Sequence, residues 1–306
     1  MTLPAGMQVF ERGWLSSNCI VFAGPGPTAM VDSGYVAHAG QTVAMVRQAL
    51  QGRPLALLVN THLHSDHCGG NQALQAAYAG AGGMRTLIPQ AEAASVLAWD
   101  ESALGFAAAG QRCPRFGFDG LLAGGQTLQL GGMAWQVLAA PGHDPHALML
   151  YQPEEGVLIS ADALWENGFG VIFPELDGGA GFAQARATLE LIATLPLRLV
   201  VPGHGAAFTA VQPALQRAWS RLDYLEADPA NNARYAVKVL LKFLLLERRR
   251  IALAEVSPLL ESIPLAMAAD RNFLHMGSAA LAHWVIAQLQ RAGAAAIDGA
   301  LLVNRD

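Results

Sequence analysis

Lysine is almost missing from this chain: Lys238 and Lys242 are the only two in 306 residues. Arginine does not redress the balance, since Lys and Arg together number 19 against 24 Asp and Glu, for a net charge of −5. Affinity for nucleic acid rests on neutralising phosphates, so a chain this acidic argues against such a partner. Cysteine is also scarce. Cys19, Cys68 and Cys113 are widely spaced and odd in number, so no disulfide framework is implied and a reducing cytoplasm is the expected location. No stretch of about eighteen uncharged apolar residues occurs, which argues against a membrane span. The first fourteen residues have no basic stretch ahead of an apolar core, so no signal peptide is expected. Apolar residues are abundant, at 53%, and the length leaves room for two domains with a sizeable core.

Against that background one stretch stands out: Thr61-His62-Leu63-His64-Ser65-Asp66-His67-Cys68-Gly69-Gly70-Asn71. It follows the apolar run Leu55-Ala56-Leu57-Leu58-Val59, which reads as a buried strand. Side-chain alternation along an extended chain predicts His62, His64 and Asp66 on one side and His67 on the other. Imidazole and carboxylate suit zinc, iron or manganese, and four such groups in six positions are a poor fit to chance. Cys68 is not needed to complete a metal site and reads as a small buried residue.

Four more strand-like runs each deliver one polar residue beside a turn. Residues 135–140 lead through Pro141 to Gly142-His143-Asp144-Pro145-His146, and residues 197–201 lead to Pro202-Gly203-His204-Gly205. Residues 156–161 end on Asp162, and residues 29–31 end on Asp32-Ser33-Gly34. Small and turn-forming residues at those places allow close backbone approach.

These motifs, in this order, resemble the metallo-β-lactamase superfamily over roughly the first two-thirds of the chain. The resemblance implies that His62, His64 and His143 hold a first metal, that Asp66, His67 and His204 hold a second, and that Asp162 bridges them. Asp32 would orient a ligating imidazole. Two divalent ions are implied, zinc first, with iron or manganese as alternatives. A pair about 3.5–4 Å apart can share a hydroxide that attacks a carbonyl or phosphoryl centre. Asp66 would carry a proton to the leaving group, making it and Asp162 the catalytic carboxylates. The retained Asp66 and Asp162 resemble the binuclear branch of glyoxalase II-like thioesterases and lactonases, which argues against β-lactam hydrolysis.

The fold implied is α/β, a four-layer αββα sandwich over residues 1–227. Strand-like runs at 7–10, 18–23 and 28–31 open the chain. Helical patterns at 40–51 and 70–80 precede strands at 55–60 and 85–88. Strands then fill 126–162, before a helix at 181–195, a strand at 197–201 and a helix at 208–226. Residues 100–120 and 164–182 resist assignment and could overhang the cleft. Within the second, Trp165, Glu166, Phe169 and Phe173 are candidates to face a substrate, as is His146 beyond His143.

Asp228-Pro229 marks a break. Helical patterns at 233–250, 252–263 and 277–292 follow, then two short apolar runs around Asp298-Gly299, a hairpin signal. Helix, helix, helix, hairpin resembles a winged-helix domain, 228–306, such as follows the hydrolase fold in a branch that includes a mitochondrial endoribonuclease. Its third helix carries Arg291 as its one basic residue, and Arg248-Arg249-Arg250 sit where a helix C-terminus favours cations. The segment is therefore read as a packing, dimerising or substrate-shaping element, the second of these allowing a homodimer. The leading expectation is hydrolysis of a small-molecule thioester, ester or lactone. A ribonuclease or phosphodiesterase, a single-iron dioxygenase, and a non-catalytic metal-binding protein are the alternatives. Glutathione thioesters are disfavoured, because the glyoxalase II-like enzymes hold glutathione with basic and tyrosine residues.

Overall fold

The computed structural model describes residues 2–80 and 83–305. Two mixed sheets stack face to face. The first runs in the order Met7–Phe10, Cys19–Phe22, Ala29–Val31, Leu57–Val59, Arg85–Pro89, Gly120–Leu122, antiparallel over the first three strands and parallel from the third onward. The second runs Leu199–Pro202, Val157–Ala161, Leu148–Gln152, Met133–Ala139, Thr127–Leu130, with only the first pair parallel.

Alternation along each strand sorts its residues between layers. Ile20, Phe22, Val31 and Val59 meet Trp135, Val137, Leu150, Ile159 and Val201 between the sheets. Val21, Met30 and Leu58 face outward and pack against Val46, Leu50 and Leu74, from the helices Ala39–Ala49 and Asn71–Ala77 and the residue closing the first. On the other face, Leu158 and Val200 pack against Leu189, Leu215 and Leu222, from Gly181–Thr194 and Val211–Ala227. Val157–Ala161 is buried on both faces and accordingly reads as one apolar run. The αββα order is as expected.

From residue 228 onward the order is the helix Ala230–Arg248, the strand Arg250–Ala252, the helices Leu253–Glu261, Pro264–Ala269 and Ser278–Arg291, and the hairpin Ala295–Asp298 and Leu301–Asn304. The three strands form a small sheet with Leu301–Asn304 in the middle. These elements share a core of Val237, Leu241, Val256, Leu260, Leu281 and Val285 that reaches back to Val171 and Leu176. The segment is thus seated on residues 171–176, directly beside Asp162's loop. Pro264 ends the preceding pattern in sequence but stands at the first turn of its own helix, where its missing N–H costs nothing. No helix among the described residues is long and apolar enough to cross a membrane.

Candidate metal centre

The centre lies at the C-terminal ends of four parallel-paired strands, where α/β sheets gather ligands. Val31 pairs with Val59, so Asp32 and Thr61 emerge side by side. Ile159 pairs with Val201, and a register shift before Ala161 sets Asp162 next to Gly203. Both strand ends are strained, Asp32 at φ +56° and Ala161 at φ +46°, a left-handed conformation that non-glycine residues adopt where the surroundings impose it. Alternation along an extended chain does not place the His62–His67 group. The chain leaves the sheet at Val59 and winds one helical turn over Ser65–Cys68, which presents Asp66 and His67 from a helix rather than a strand.

Hydrogen bonds fix which nitrogen each imidazole turns inward. Asp32 accepts from the Thr61 N–H (2.9 Å) and the Thr61 hydroxyl (2.7 Å), and its Oδ2 lies 2.8 Å from His67 Nδ1. A carboxylate only accepts, so His67 carries a proton on Nδ1 and turns its Nε2 inward. The Thr61 hydroxyl, its proton given to Asp32, accepts from His62 Nδ1 at 3.1 Å. His143 Nδ1 donates to the Val171 carbonyl at 2.5 Å. The inward atoms are therefore His62 Nε2, His143 Nε2 and His64 Nδ1, the last lying 3.1 and 2.8 Å from the other two. On the far side, His204 Nε2 lies 3.0 Å from Asp66 Oδ2. Asp162 stands between the sets, 3.4 Å from His143 Nε2, 3.5 Å from His67 Nε2 and 3.8 Å from His204 Nε2.

Three groups of donor atoms close enough to share an ion result: His62 with His64 and His143, His62 with His67 and Asp162, and Asp66 with His67 and His204. His67 Nε2 is buried and has no hydrogen-bond partner. An orphaned buried nitrogen costs free energy comparable to a lost hydrogen bond, and a cation among these donors would satisfy it. The residues fit a divalent metal.

Electrostatics divide the cluster. Burial, then the neighbouring His67 and His64, pushes His62 well below its ordinary pKa, and burial takes His143 down to about 4. Burial lowers His64 as well. These three are neutral at pH 7. Burial also opposes charge on His67 and His204, but Asp162 first, with Asp32 and Asp66, holds both above the usual value. Asp162 is held well below the usual carboxylate range by His204 and His67 against its own burial.

Backbone approach completes the packing. A Cβ on Gly203 would strike Asp162 Oδ1 and the His67 ring, and one on Gly170 would strike the His143 ring. Asn18 donates to the Pro202 and Gly205 carbonyls, bracing the His204 turn.

A cavity of about 330 Å³ opens on the centre, and Trp165, Phe173 and His146 line it. Glu166 and Phe169 do not, which corrects their assignment as substrate-facing. Trp165 bonds back to Gly168 in a tight reversal that leaves Glu166 exposed at its tip and sends Phe169 into the core under the second sheet's helices. Three residues not singled out from sequence also stand at the site. Trp14, 56% exposed, stacks on His204 at 5.4 Å and meets Trp165 edge-on. Asp144, buried, lies 3.6 Å from His64 Nε2, and buried Glu92 lines the cavity. Asp144 was within the quoted His143 motif; Trp14 and Glu92 have no local signal. Cys68 is buried, its Sγ 3.7 Å from that of Cys113.

An αββα sandwich with a His/Asp cluster at its strand ends defines a metal-binding α/β protein. The family model of the metallo-beta-lactamase superfamily matches residues 12–204, and the chain belongs to that superfamily. A hydroxyacylglutathione hydrolase from Methylococcus capsulatus is 31% identical over 179 residues, 56% of this chain and 55% of that one. One from Brucella anthropi is 26% identical over 229 residues, 74% and 71% of the two chains. The chain spans about half the length of the first curated relatives it matches. A metallo-beta-lactamase family protein from Thermus thermophilus shares the fold over 99% of both chains, with TM-score 0.58 and 21% identity. A beta-lactamase domain protein from Burkholderia ambifaria does so with TM-score 0.58 and 20% identity, over 99% of this chain and 96% of that one.

Proposed function

We propose that this protein is a metal-dependent hydrolase of a small acyl substrate, a thioester, ester or lactone, working with two divalent ions. His62, His64 and His143 would hold one ion, and Asp66, His67 and His204 the other, with Asp162 between them. The observation that carries this is the position of Asp162, within 3.8 Å of inward nitrogens of both sets. Nitrogen and carboxylate donors suit zinc, with iron or manganese as alternatives. Held there, such ions supply Lewis acidity toward a carbonyl and make water a nucleophile at neutral pH.

The chain's own groups do the rest. Asp32, the Thr61 hydroxyl and the Val171 carbonyl hold three imidazoles in the tautomer that ligates. Burial opposes ionisation of Asp66, but His204 and His67 hold it below the usual carboxylate value; it lines the cavity and can pass a proton to a departing oxygen or sulfur. Relatives named hydroxyacylglutathione hydrolases support an acyl substrate class. The segment from residue 228 we read as a separate, winged-helix-like domain that shapes the substrate cavity rather than gripping nucleic acid.

The test is one hydrolysis panel on metal-loaded protein, holding acyl-thioesters, lactones, aryl esters and a short single-stranded RNA, with Asp162→Ala as control. Turnover of an acyl substrate that the variant loses is expected. RNA cleavage with acyl substrates inert would overturn the reading.

A further inference from the structure

The cavity is not polar throughout. One end is the centre itself, and exposed Trp14 marks its solvent edge. The other part is apolar: Phe173, which meets the His64 and His143 rings at 5.6 and 5.7 Å, with Leu104 and Phe106, and Val239, Phe243 and Leu265. Those last three belong to the segment beyond residue 228, so the hydrolase layers and that segment build the wall jointly. The helix Phe106–Ala109 packs directly on Pro264–Ala269, which closes the seam. The wall is also braced from behind. Phe243 meets Tyr35 edge-on at 4.9 Å, the Tyr35 hydroxyl donates to Glu247, and Glu247 pairs with Arg112.

Charge narrows the occupant. Among the described residues neither Lys nor Arg lines the cavity, whereas Glu92, Asp144 and Asp177 do so in addition to the carboxylates of the centre. An anionic group in the cavity would find carboxylates and no Lys or Arg side chain along the lining. We propose, resting on the hydrolase reading above, that this apolar end takes the uncharged aliphatic chain of the acyl group. The leaving group then departs on the Trp14 side, and Val239, Phe243 and Leu265 set the chain length accepted. Recognition is by burial alone, so each methylene that enters the cavity raises kcat/KM about fourfold. The rise stops once a cavity of about 330 Å³, near the small end for ligand sites, is filled.

The experiment is a series of p-nitrophenyl esters, from acetyl through butyryl and hexanoyl to octanoyl and decanoyl, on metal-loaded protein. Val239→Trp, which fills the apolar end, and Leu265→Ala, which enlarges it, are run alongside. The expected result is a kcat/KM that climbs with length and then levels. In Val239→Trp the octanoyl-to-acetyl ratio drops about tenfold or more, and in Leu265→Ala the levelling moves to longer chains. A flat series with clear acetyl turnover overturns the acyl-chain site and leaves the hydrolase reading standing. If no ester turns over, the hydrolase reading is left to the thioester and lactone panel, and binding to metal-free protein decides the cavity by itself. Octanamide binding more tightly than acetamide by calorimetry, with the difference lost in Val239→Trp, supports the apolar site. Equal binding of the two amides overturns it.

Discussion

The two ends of one cavity obey opposite rules. At the metal centre, buried polar groups face one another, each oriented by a hydrogen bond from outside: Asp32 to His67, Thr61 to His62, Val171 to His143. Elsewhere in the lining, Val239, Phe243 and Leu265 offer a ligand apolar side chains only. The first depends on direction and fails if an atom moves by an ångström. The second depends on volume and tolerates exchange of one apolar side chain for another of similar size. Substitutions at the two ends should therefore separate chemistry from selectivity.

The largest effect belongs to the centre. Asp162→Ala removes the carboxylate between the two nitrogen sets and should lower hydrolysis about a thousandfold with the melting transition retained. A variant that keeps full activity would end the two-ion account. Next comes Gly203→Ala, whose methyl group would drive into Asp162 and His67. Metal content per chain should fall although no ligand has changed, and elemental analysis reads this directly. Phe243→Ala is the contrasting cut: it removes a buried ring 4.9 Å from Tyr35 and should cost about 3 kcal/mol of unfolding free energy, while metal content stays as in the parent. Loss of metal in that variant would show that the two ends are not separable.

The smallest effect is a pH slope. Burial first, then Asp144, raises Glu92 from 4.5 to about 7. The folded protein thus binds a proton there that the unfolded chain has released, so stability is present below about 4.5 and declines as pH rises toward about 7. Glu92→Gln should flatten that slope in chemical denaturation of metal-free protein; an unchanged slope would place the titration elsewhere.

The same contrast governs what could be read from the sequence. The candidate ligands stood out because four of them fall within six positions, while His143 and His204 follow Gly142 and Gly203 just past apolar runs and Asp162 ends an apolar run directly. The layers were legible because runs such as Val157–Ala161 are buried on both faces and carry no charged residue until their end. Local order failed where a turn redirected the chain. Ser65–Cys68 winds into a helix, and the Trp165–Gly168 reversal carries Phe169 away from the cavity that Trp165 faces. The apolar wall was illegible altogether. Val239 and Leu265 are ordinary helix residues until packing brings the helices of the last segment against Phe106 and Phe173, which lie far back in the chain. Trp14 likewise owes its place to the strand-end turn that delivers His204 beneath it.

The most direct test of the central claim is the number of metal ions per chain after loading and exhaustive desalting, in the parent and in His67→Ala. The account predicts two ions in the parent and one in the variant. Asp32 turns His67 Nε2 toward the Asp66 and His204 donors, so its loss empties that set and leaves His62, His64 and His143 intact. One ion in the parent, unchanged by the substitution, would contradict it.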